Sequence, residues 1–208
     1  MRNMELIFAT GNAGKLREVQ QICDLLGPKY GVSLKVLPMP EKADIPETGV
    51  TYRENSLQKA EYVWNRWHKP CIADDSGMEV DALDGGPGIY TARYCCRDFA
   101  KGIGKLLKEL DALGADTPEK RRGSFVCCLT LISDGLVRHF EGRCPGTISE
   151  SPRGDAGFGF DPVFIADAAP DRCMAELEDN RKNSISHRGL AMEGLFRFLA
   201  GEGRYLMD

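Results

Sequence analysis

The chain alternates short apolar runs with segments of helical periodicity, and this alternation is the strongest constraint on its fold. Residues 5–9 form a strand-like run, and residues 15–26 space their apolar side chains as a helix does, until Gly27 and Pro28 stop the pattern. Residues 32–36 then alternate apolar and polar side chains like a strand. The order of strand, helix and strand predicts an α/β fold.

The next segments continue this alternation. Thr51 and Glu54 have the spacing of a capping box, which predicts a helix ending near Trp67. Strands are predicted at 70–73 and 78–83, so the acidic residues between them would lie in a loop at the end of a strand. Ligands of α/β sheets commonly bind at such strand ends.

The second half adds an antiparallel pair. An apolar stripe predicts a helix over 99–113, and Asp134-Gly135 predicts a hairpin turn between strands 123–133 and 136–144. A short strand at 163–165 and a helix at 186–200 follow. We therefore expect an α/β protein with a mixed twisted sheet and flanking helices, in two lobes around a central cleft.

Charge and hydropathy narrow the range of partners. The 208 residues include 27 basic and 31 acidic side chains, a formal net charge of −4, without a long Lys/Arg block. This pattern argues against a nucleic acid or an anionic membrane as partner. The longest apolar run, 125–132, is far shorter than the roughly 20 residues of a membrane helix, and the N-terminus has no signal-peptide pattern. We predict a cytoplasmic protein.

Eight cysteines lie along the chain without any C-x-x-C spacing. Two vicinal pairs make poor metal ligands, and a disulfide framework is typical of short secreted chains. We expect the cysteines to be reduced and to behave as small apolar side chains in strands and core.

A glycine-containing loop, Thr10-Gly11-Asn12-Ala13-Gly14-Lys15, falls between the first predicted strand and helix. Its backbone N–H groups, the helix N-terminus and the Lys15 charge suit an anion such as phosphate. The spacing differs from the Walker A loop, because the two glycines are three apart and Leu16 follows the lysine. From the residues alone, a phosphate site and an ordinary turn both remain open.

Acidic residues cluster in two places. Asp74 and Asp75 are adjacent after a buried strand, where two carboxylates need a cation or hydrogen bonds to stay ionised. Glu47 and Glu54 flank the start of the second helix, although capping accounts for Glu54. Carboxylates and substrate phosphates are the ligands that Mg²⁺ prefers. A metal site and a capped, solvated turn are equally compatible with the Asp pair.

Two later segments suit recognition of a flat polar ligand. Phe158-Gly159-Phe160-Asp161 joins aromatic rings to a carboxylate, although core packing would explain it too. His187 and Arg188 follow Ser186 at the start of the last helix, where cations oppose the helix dipole and suggest a bound anion. An N-cap role for Ser186 is the alternative.

Six motifs in order resemble one family, the inosine triphosphate pyrophosphatases. The matching segments are ATGNAGK (9–15), ETGVTYRENSLQKA (47–60), ADDSG (73–77), GGPGIYTARY (85–94), GFGFDP (157–162) and SHRG (186–189). Each motif is weak by itself, but six at family spacing are specific and span almost the whole chain. The resemblance implies one nucleoside triphosphate pyrophosphatase domain over residues 1–208, with the nucleotide in the central cleft.

The resemblance also implies residue roles. Residues Thr10 to Lys15 would hold the triphosphate, and Glu47, Asp74 and Asp75 would hold Mg²⁺, with Asp75 as proton acceptor. The other implied substrate contacts are Ser76, Phe158, Gly159, Phe160, Asp161, Lys182, His187 and Arg188. A homodimer is implied as well.

The implied reaction is attack of water on the α-phosphorus of dITP, ITP or XTP, which releases pyrophosphate and leaves a monophosphate. Lys15, Lys182 and Arg188 would offset the triphosphate charge. A donor on His187 or Arg188, aimed at the 6-keto oxygen beside Phe160 and Asp161, would reject the 6-amino group of adenine. A nucleotide-binding sensor is the rival, but three carboxylates would repel a triphosphate without a metal.

The cysteines are predicted to have no part in catalysis. Treating the native protein with iodoacetamide should leave hydrolysis of ITP intact, whereas EDTA should abolish it. Activity that is lost to the thiol reagent and survives EDTA would favour cysteine chemistry instead.

Overall fold

Seven strands of a mixed sheet and six helices make up the fold in the computed structural model, which describes residues 2–96 and 98–201. The strands are β1 (Arg2–Phe8), β2 (Val32–Pro38), β3 (Cys71–Val80), β4 (Pro87–Gly88), β5 (Arg122–Ser133), β6 (Leu136–Ile148) and β7 (Phe164–Ala166). The helices are α1 (Ala13–Tyr30), α2 (Tyr52–Trp67), α3 (Thr91–Tyr94), α4 (Phe99–Ala112), α5 (Asp179–Ile185) and α6 (His187–Ala200). The predicted α/β class with a mixed sheet is confirmed.

The described residues form two compact units, in agreement with the two predicted lobes. Unit 1 lies within Met1–Asp75, Cys127–Gly142 and His187–Asp208, and unit 2 lies within Ser76–Val126 and Arg143–Ser186. The chain passes from the first unit to the second inside β3. Strands β5 and β6 also contribute residues to both units.

In unit 1, β1 pairs in parallel with β2 and with β3. From Leu6 onward both faces of β1 are buried, as is typical of a parallel strand. Leu6 and Phe8 pack in the cluster that includes apolar residues of α1 and α6, whereas Ile7 and Ala9 pack in the cluster that includes residues of α2. Helices therefore cover both faces of the sheet in this unit.

The predicted end of α1 at Gly27 and Pro28 is wrong. The helix continues to Tyr30 and ends at Gly31, whose left-handed backbone (φ 69°) lets its N–H donate to the Gly27 carbonyl. Gly27 is needed for another reason, because a Cβ there would lie 2.7 Å from the carbonyl oxygen of Val32 on β2. The glycine permits close packing of the helix on the strand that follows it.

The predicted break in β3 is also wrong. Residues 74–77 do not form a loop, since β3 runs without interruption from Cys71 to Val80 and a 3-10 turn, Asp81–Leu83, follows. Asp74 and Asp75 can lie inside a buried strand because cationic side chains pair with both of them, as described below. The acidic pair therefore lies within the strand and not at its end.

In unit 2, α4 packs its predicted apolar stripe against β5, β6 and β7. Ile103, Leu106 and Leu110 belong to the same buried cluster as Phe160 and Phe164. Helix α5 was not predicted from the sequence.

The hairpin and the cysteines match their predictions. Asp134 (φ 33°) and Gly135 (φ 78°) both have positive φ between β5 and β6, as a type I′ turn requires. All eight cysteines are free, and only Cys96 is exposed. Among the helices of the described ranges, none has the length and apolarity that crossing a membrane requires.

Two glycines in helices should respond to alanine in opposite ways. Gly27→Ala should destabilise the protein by more than about 1 kcal/mol, because its Cβ meets the backbone of β2. Gly104→Ala in α4 should stabilise it by about 0.5–1 kcal/mol, because open space surrounds that Cβ position and alanine is the better helix former. Urea denaturation measures both. Equal effects of the two substitutions would contradict the packing described for Gly27.

Candidate active site

The loop between β1 and α1 is organised by its own side chains. Asn12 is the N-cap of α1, and its Oδ1 accepts from the backbone N–H of Gly14 at 2.8 Å and of Lys15 at 3.2 Å. Thr10 Oγ1 accepts from the N–H of Asn12 at 3.1 Å. These bonds place Lys15 in the first turn of α1, beyond the end of β1.

Asp74 is held by two cations. Lys15 Nζ lies 3.1 Å from each carboxylate oxygen of Asp74, and Arg188 donates to Oδ2 from Nε at 3.1 Å and from Nη2 at 2.9 Å. Arg188 also pairs through Nη1 with Glu18 on α1. Asp74, Arg188 and Glu18 are all buried. Two carboxylates and two cations thus form a balanced cluster.

The cluster keeps both of its central groups ionised. Burial raises the pKa of Asp74, but the charges of Lys15, Arg188 and Lys59 more than offset it and hold that pKa well below its ordinary value. Burial likewise disfavours the Arg188 cation, but Glu18 and Asp74 raise its pKa above the ordinary value. Asp74 therefore stays a carboxylate at physiological pH.

Asp75 has different partners. Lys59 Nζ lies 2.9 Å from Oδ1 of Asp75, and Asn55 Nδ2 lies 3.2 Å from Oδ2. Burial has the largest influence on the pKa of Asp75 and raises it, and the negative charge of the nearby Glu47 raises it further. The ammonium of Lys59 opposes these effects without cancelling them. The two neighbouring aspartates thus have pKa values displaced in opposite directions. Such divergence is typical of groups with separate tasks.

The difference between the partners of Asp74 and those of Asp75 follows from strand geometry. Successive side chains leave a strand on opposite faces, so Asp74 shares a face with Ile72 and Asp75 with Ala73. Ile72 packs in the cluster of α1 and α6, and Ala73 packs in the cluster of α2. The partners follow the same division, because Lys15 and Arg188 come from α1 and α6, whereas Asn55 and Lys59 come from α2.

Glu47 reaches this site because its loop is fastened to α2. Gly49 N–H donates to Asn55 Oδ1 at 2.8 Å, and Val50 N–H donates to Glu54 Oε2 at 2.7 Å. A Cβ on Gly49 would lie 2.6 Å from the Cβ of Glu54, so only glycine fits this approach. Glu47 Oε1 then lies 2.6 Å from Lys59 Nζ.

The structure brings together two of the three carboxylates that were predicted to bind the metal. Glu47 and Asp75 contact the same ammonium of Lys59, whereas Asp74 contacts Lys15 and Arg188. Over residues 2–96 and 98–201, no three His, Cys, Asp or Glu side chains are arranged to hold a metal ion. A metal at Glu47 and Asp75 would need further ligands beyond these two carboxylates.

Unit 2 brings together three predicted substrate contacts. Lys182 Nζ lies 2.6 Å from Asp161 Oδ2, which also accepts from the Phe158 N–H at 2.9 Å. The same ammonium lies 5.0 Å from the centre of the Phe158 ring. Gly157 (φ 76°) makes this possible, because a Cβ there would lie 2.2 Å from Asp161 Oδ2.

The other predicted contacts lie in different surroundings. Phe160 is 1% exposed and packs edge-on against Phe99, with ring centres 5.8 Å apart. These contacts match core packing, the alternative to ligand recognition for this residue. Phe158 and Gly159 are half-buried, as are Ser76 in β3 and His187 in α6. Arg188 is turned toward Asp74 and Glu18. A contact of Arg188 with a base stays a prediction.

Three residues of the site were given no role from sequence. Glu18 lies one turn after Lys15 on α1, and Asn55 and Lys59 are four apart on α2. All three are polar side chains on the buried face of an amphipathic helix. That placement is the pattern that could have indicated them.

These features are those of an α/β enzyme with a buried acidic site. The chain belongs to the Ham1 family, whose model matches residues 6–198. A dITP/XTP pyrophosphatase of Geobacillus kaustophilus is 43% identical over 96% of this chain and 98% of that protein. One of Halalkalibacterium halodurans is 44% identical over 94% of this chain and 98% of that protein. The resemblance identified from the six motifs is confirmed.

Solved structures agree with this assignment. The HAM1 protein of Coxiella burnetii superposes with a TM-score of 0.79 at 35% identity, and covers 94% of this chain and 98% of that one. The Ham1 protein of Staphylococcus aureus gives 0.77 at 37% identity, over 96% and 100%. The fold is therefore that of Ham1 proteins.

The buried position of Glu18 gives a stability prediction. Glu18→Gln should lower the free energy of unfolding by about 3 kcal/mol, because it leaves the buried cluster with one uncompensated positive charge. Glu193→Gln is the matched control, since Glu193 pairs with the exposed Lys29 and Arg197, and its loss should be much smaller. Urea denaturation compares them. A smaller loss for Glu18→Gln than for Glu193→Gln would contradict the balanced cluster.

Proposed function

We propose that this chain is a Mg²⁺-dependent pyrophosphatase for dITP, ITP and XTP that removes deaminated purines from the nucleotide pool. The observation that carries the proposal is that Glu47 and Asp75 contact the same ammonium of Lys59, while the neighbouring Asp74 contacts Lys15 in the first turn of α1. The chain is 43% and 44% identical to two dITP/XTP pyrophosphatases, which supports this substrate class. Residues 1–208 act as one catalytic domain in the cytoplasm.

The donor set fits Mg²⁺. Glu47 Oε1 and Asp75 Oδ1 lie 2.6 and 2.9 Å from the same ammonium of Lys59, so the two carboxylates lie close enough together to share a metal ion. Mg²⁺ is commonly bound by one or two carboxylates with substrate phosphates as further ligands, which agrees with the lack of a three-residue set in the described ranges. Bound there, Mg²⁺ would offset the charge of the triphosphate and of the leaving pyrophosphate. Asp74 contributes by holding Lys15 and Arg188.

The loop from Thr10 to Lys15 binds the triphosphate. Asn12 and Thr10 fix the loop, and α1 has 18 residues whose dipole favours an anion at the N-terminus. Lys15 is only partly buried, with 21% of its side chain exposed, so its ammonium can contact both Asp74 and a phosphate. The loop therefore supplies charge and backbone donors together.

Asp75 acts on the water. The water oxygen forms a bond to the α-phosphorus, the bond from that phosphorus to the bridging oxygen breaks, and pyrophosphate leaves while Asp75 accepts the proton. Asn55 and Lys59 each hold one oxygen of Asp75, so the carboxylate has a fixed direction. Burial makes this carboxylate a better base than an exposed aspartate, because it raises the pKa of Asp75.

Base recognition is assigned to Phe158, Asp161 and Lys182, with Ser76 and His187 as further contacts. The Phe158 ring is half-buried beside the Lys182 ammonium and suits stacking of a purine. Asp161 and Lys182 place an acceptor and a donor beside that ring. Arg188 acts through Asp74, because its described bonds go to Asp74 and Glu18.

A panel of nucleotides tests the function. With Mg²⁺, the protein should convert dITP, ITP and XTP to monophosphate and pyrophosphate, which mass spectrometry identifies, and should act far more slowly on ATP. In ¹⁸O-water the label should enter the monophosphate. Release of inorganic phosphate, label in pyrophosphate, or full activity in EDTA would contradict the proposal. Sedimentation of the same sample tests the homodimer that the resemblance to the family implies.

Asp75→Asn should lower kcat by about 100-fold or more while nucleotide binding persists, because the amide cannot accept the proton of the water. Asp24→Asn is the matched control, since Asp24 is exposed on α1 and contacts Gln20. Single-turnover hydrolysis of dITP measures both variants. Near-normal turnover by Asp75→Asn would contradict its assignment as the base.

A further inference from the structure

A chain of buried hydroxyl groups lies behind α2, on residues that the reaction described above does not use. Ser56 Oγ on α2 lies 2.7 Å from Thr130 Oγ1 on β5, and Thr130 Oγ1 lies 2.9 Å from His139 Nδ1 on β6. Ser56 and Thr130 are fully buried, and His139 is half-buried. All three residues belong to unit 1.

Ser56 occupies the same face of α2 as the residues that hold Asp75. At about 100° per residue, Asn55, Lys59 and Ser56 fall within an arc of about 100° on the helix. Asn55 and Lys59 each hold one oxygen of Asp75. Any rotation or sliding of α2 that broke the bond between Ser56 and Thr130 would therefore also move both contacts to Asp75.

The hydrogen atoms of the chain can be counted. Ser56 Oγ also lies 3.0 Å from the carbonyl of Arg53, one turn back on α2, and 3.6 Å from Cys128 Sγ. If Ser56 donates to that carbonyl, Thr130 donates to Ser56 and His139 donates to Thr130. If His139 Nδ1 is an acceptor instead, Thr130 donates to His139 and Ser56 donates to Thr130. In both orders Thr130 donates once and accepts once, so its hydroxyl is the link on which the chain depends.

The imidazole at the end of the chain is neutral at physiological pH. Burial, followed by the positive charge of Arg53, lowers the pKa of His139, while Glu141 opposes them. A neutral ring can donate or accept at Nδ1 according to its tautomer. The chain thus has a complete set of partners without burying a charge.

We propose that Ser56, Thr130 and His139 form a positioning network that fixes α2 against the sheet, so that Asn55 and Lys59 meet Asp75. The proposal rests on the function assigned to Asp75. Apolar contacts alone allow small shifts, whereas buried hydroxyl pairs are satisfied only near one distance and direction. Ser56 and Thr130 are thus positioning residues for the reaction, not catalytic ones.

The test compares three variants with dITP as substrate. Thr130→Val keeps the shape but removes the hydroxyl, and should lower kcat by about tenfold or more with KM within about threefold. Thr130→Ser keeps the hydroxyl and should retain most of the activity. Ser184→Ala is the matched control, because the exposed Ser184 on α5 donates the same bond to a carbonyl one turn back, at 2.8 Å, without a chain of hydroxyl groups beyond it among the described residues.

Amide hydrogen exchange gives a readout without activity. Thr130→Val should speed exchange over residues 52–67 by about tenfold and leave residues 13–30 unchanged. Wild-type kcat in Thr130→Val, or equal damage from Thr130→Ser, would overturn the network. If the wild-type protein hydrolyses no nucleoside triphosphate, the proposed function fails, and the exchange result alone decides. Unchanged exchange over 52–67 then overturns the network.

Discussion

Two neighbouring carboxylates inside a buried strand are the constraint on which the rest of unit 1 depends. Removing an ion from water costs several kcal/mol unless a partner compensates it. Because Asp74 and Asp75 leave β3 on opposite faces, each face of the sheet must supply its own cation. Helices α1 and α6 supply Lys15 and Arg188, and α2 supplies Lys59. The helices around β3 are thus tied to the acidic pair by charge as well as by packing.

The two faces give the aspartates different chemistry. Asp74 lies between two cations and is held ionised, so it orders Lys15 and Arg188. Asp75 has one ammonium, one amide and a raised pKa, which suits a group that must accept a proton. The identical residue type is therefore held as a structural anion in one position, and in the next it has the surroundings that the proposed base requires. Strand alternation and the different helices on the two faces together produce this division.

Local chemistry explains what could be predicted from sequence. The capping residue Thr51, the Asp134-Gly135 turn and the alternation in β2 depend on near neighbours, and each lies where it was expected. The order of the motifs identified the family, and it predicted site residues whose roles stay predictions.

The errors come from tertiary contacts. Gly27 makes room for the carbonyl of Val32 inside a helix that ends only at Gly31, and the two aspartates inside β3 are compensated by cations from other helices. Arg188 binds a residue 114 positions away in the chain, a contact that no local pattern contains. Glu18 and Lys59 were given no role for the same reason, because their partners are set by the packing of helices on the sheet.

The most direct measurement is a titration of the two carboxylates by ¹³C NMR in metal-free protein with labelled aspartate, assigned with Asp74→Asn and Asp75→Asn. Between about pH 8 and pH 4, the Asp74 signal should not move, whereas Asp75 should begin to protonate above the ordinary aspartate value of about 3.9. Protonation of Asp74 before Asp75, or equal titration of the two, would contradict the division of roles between them.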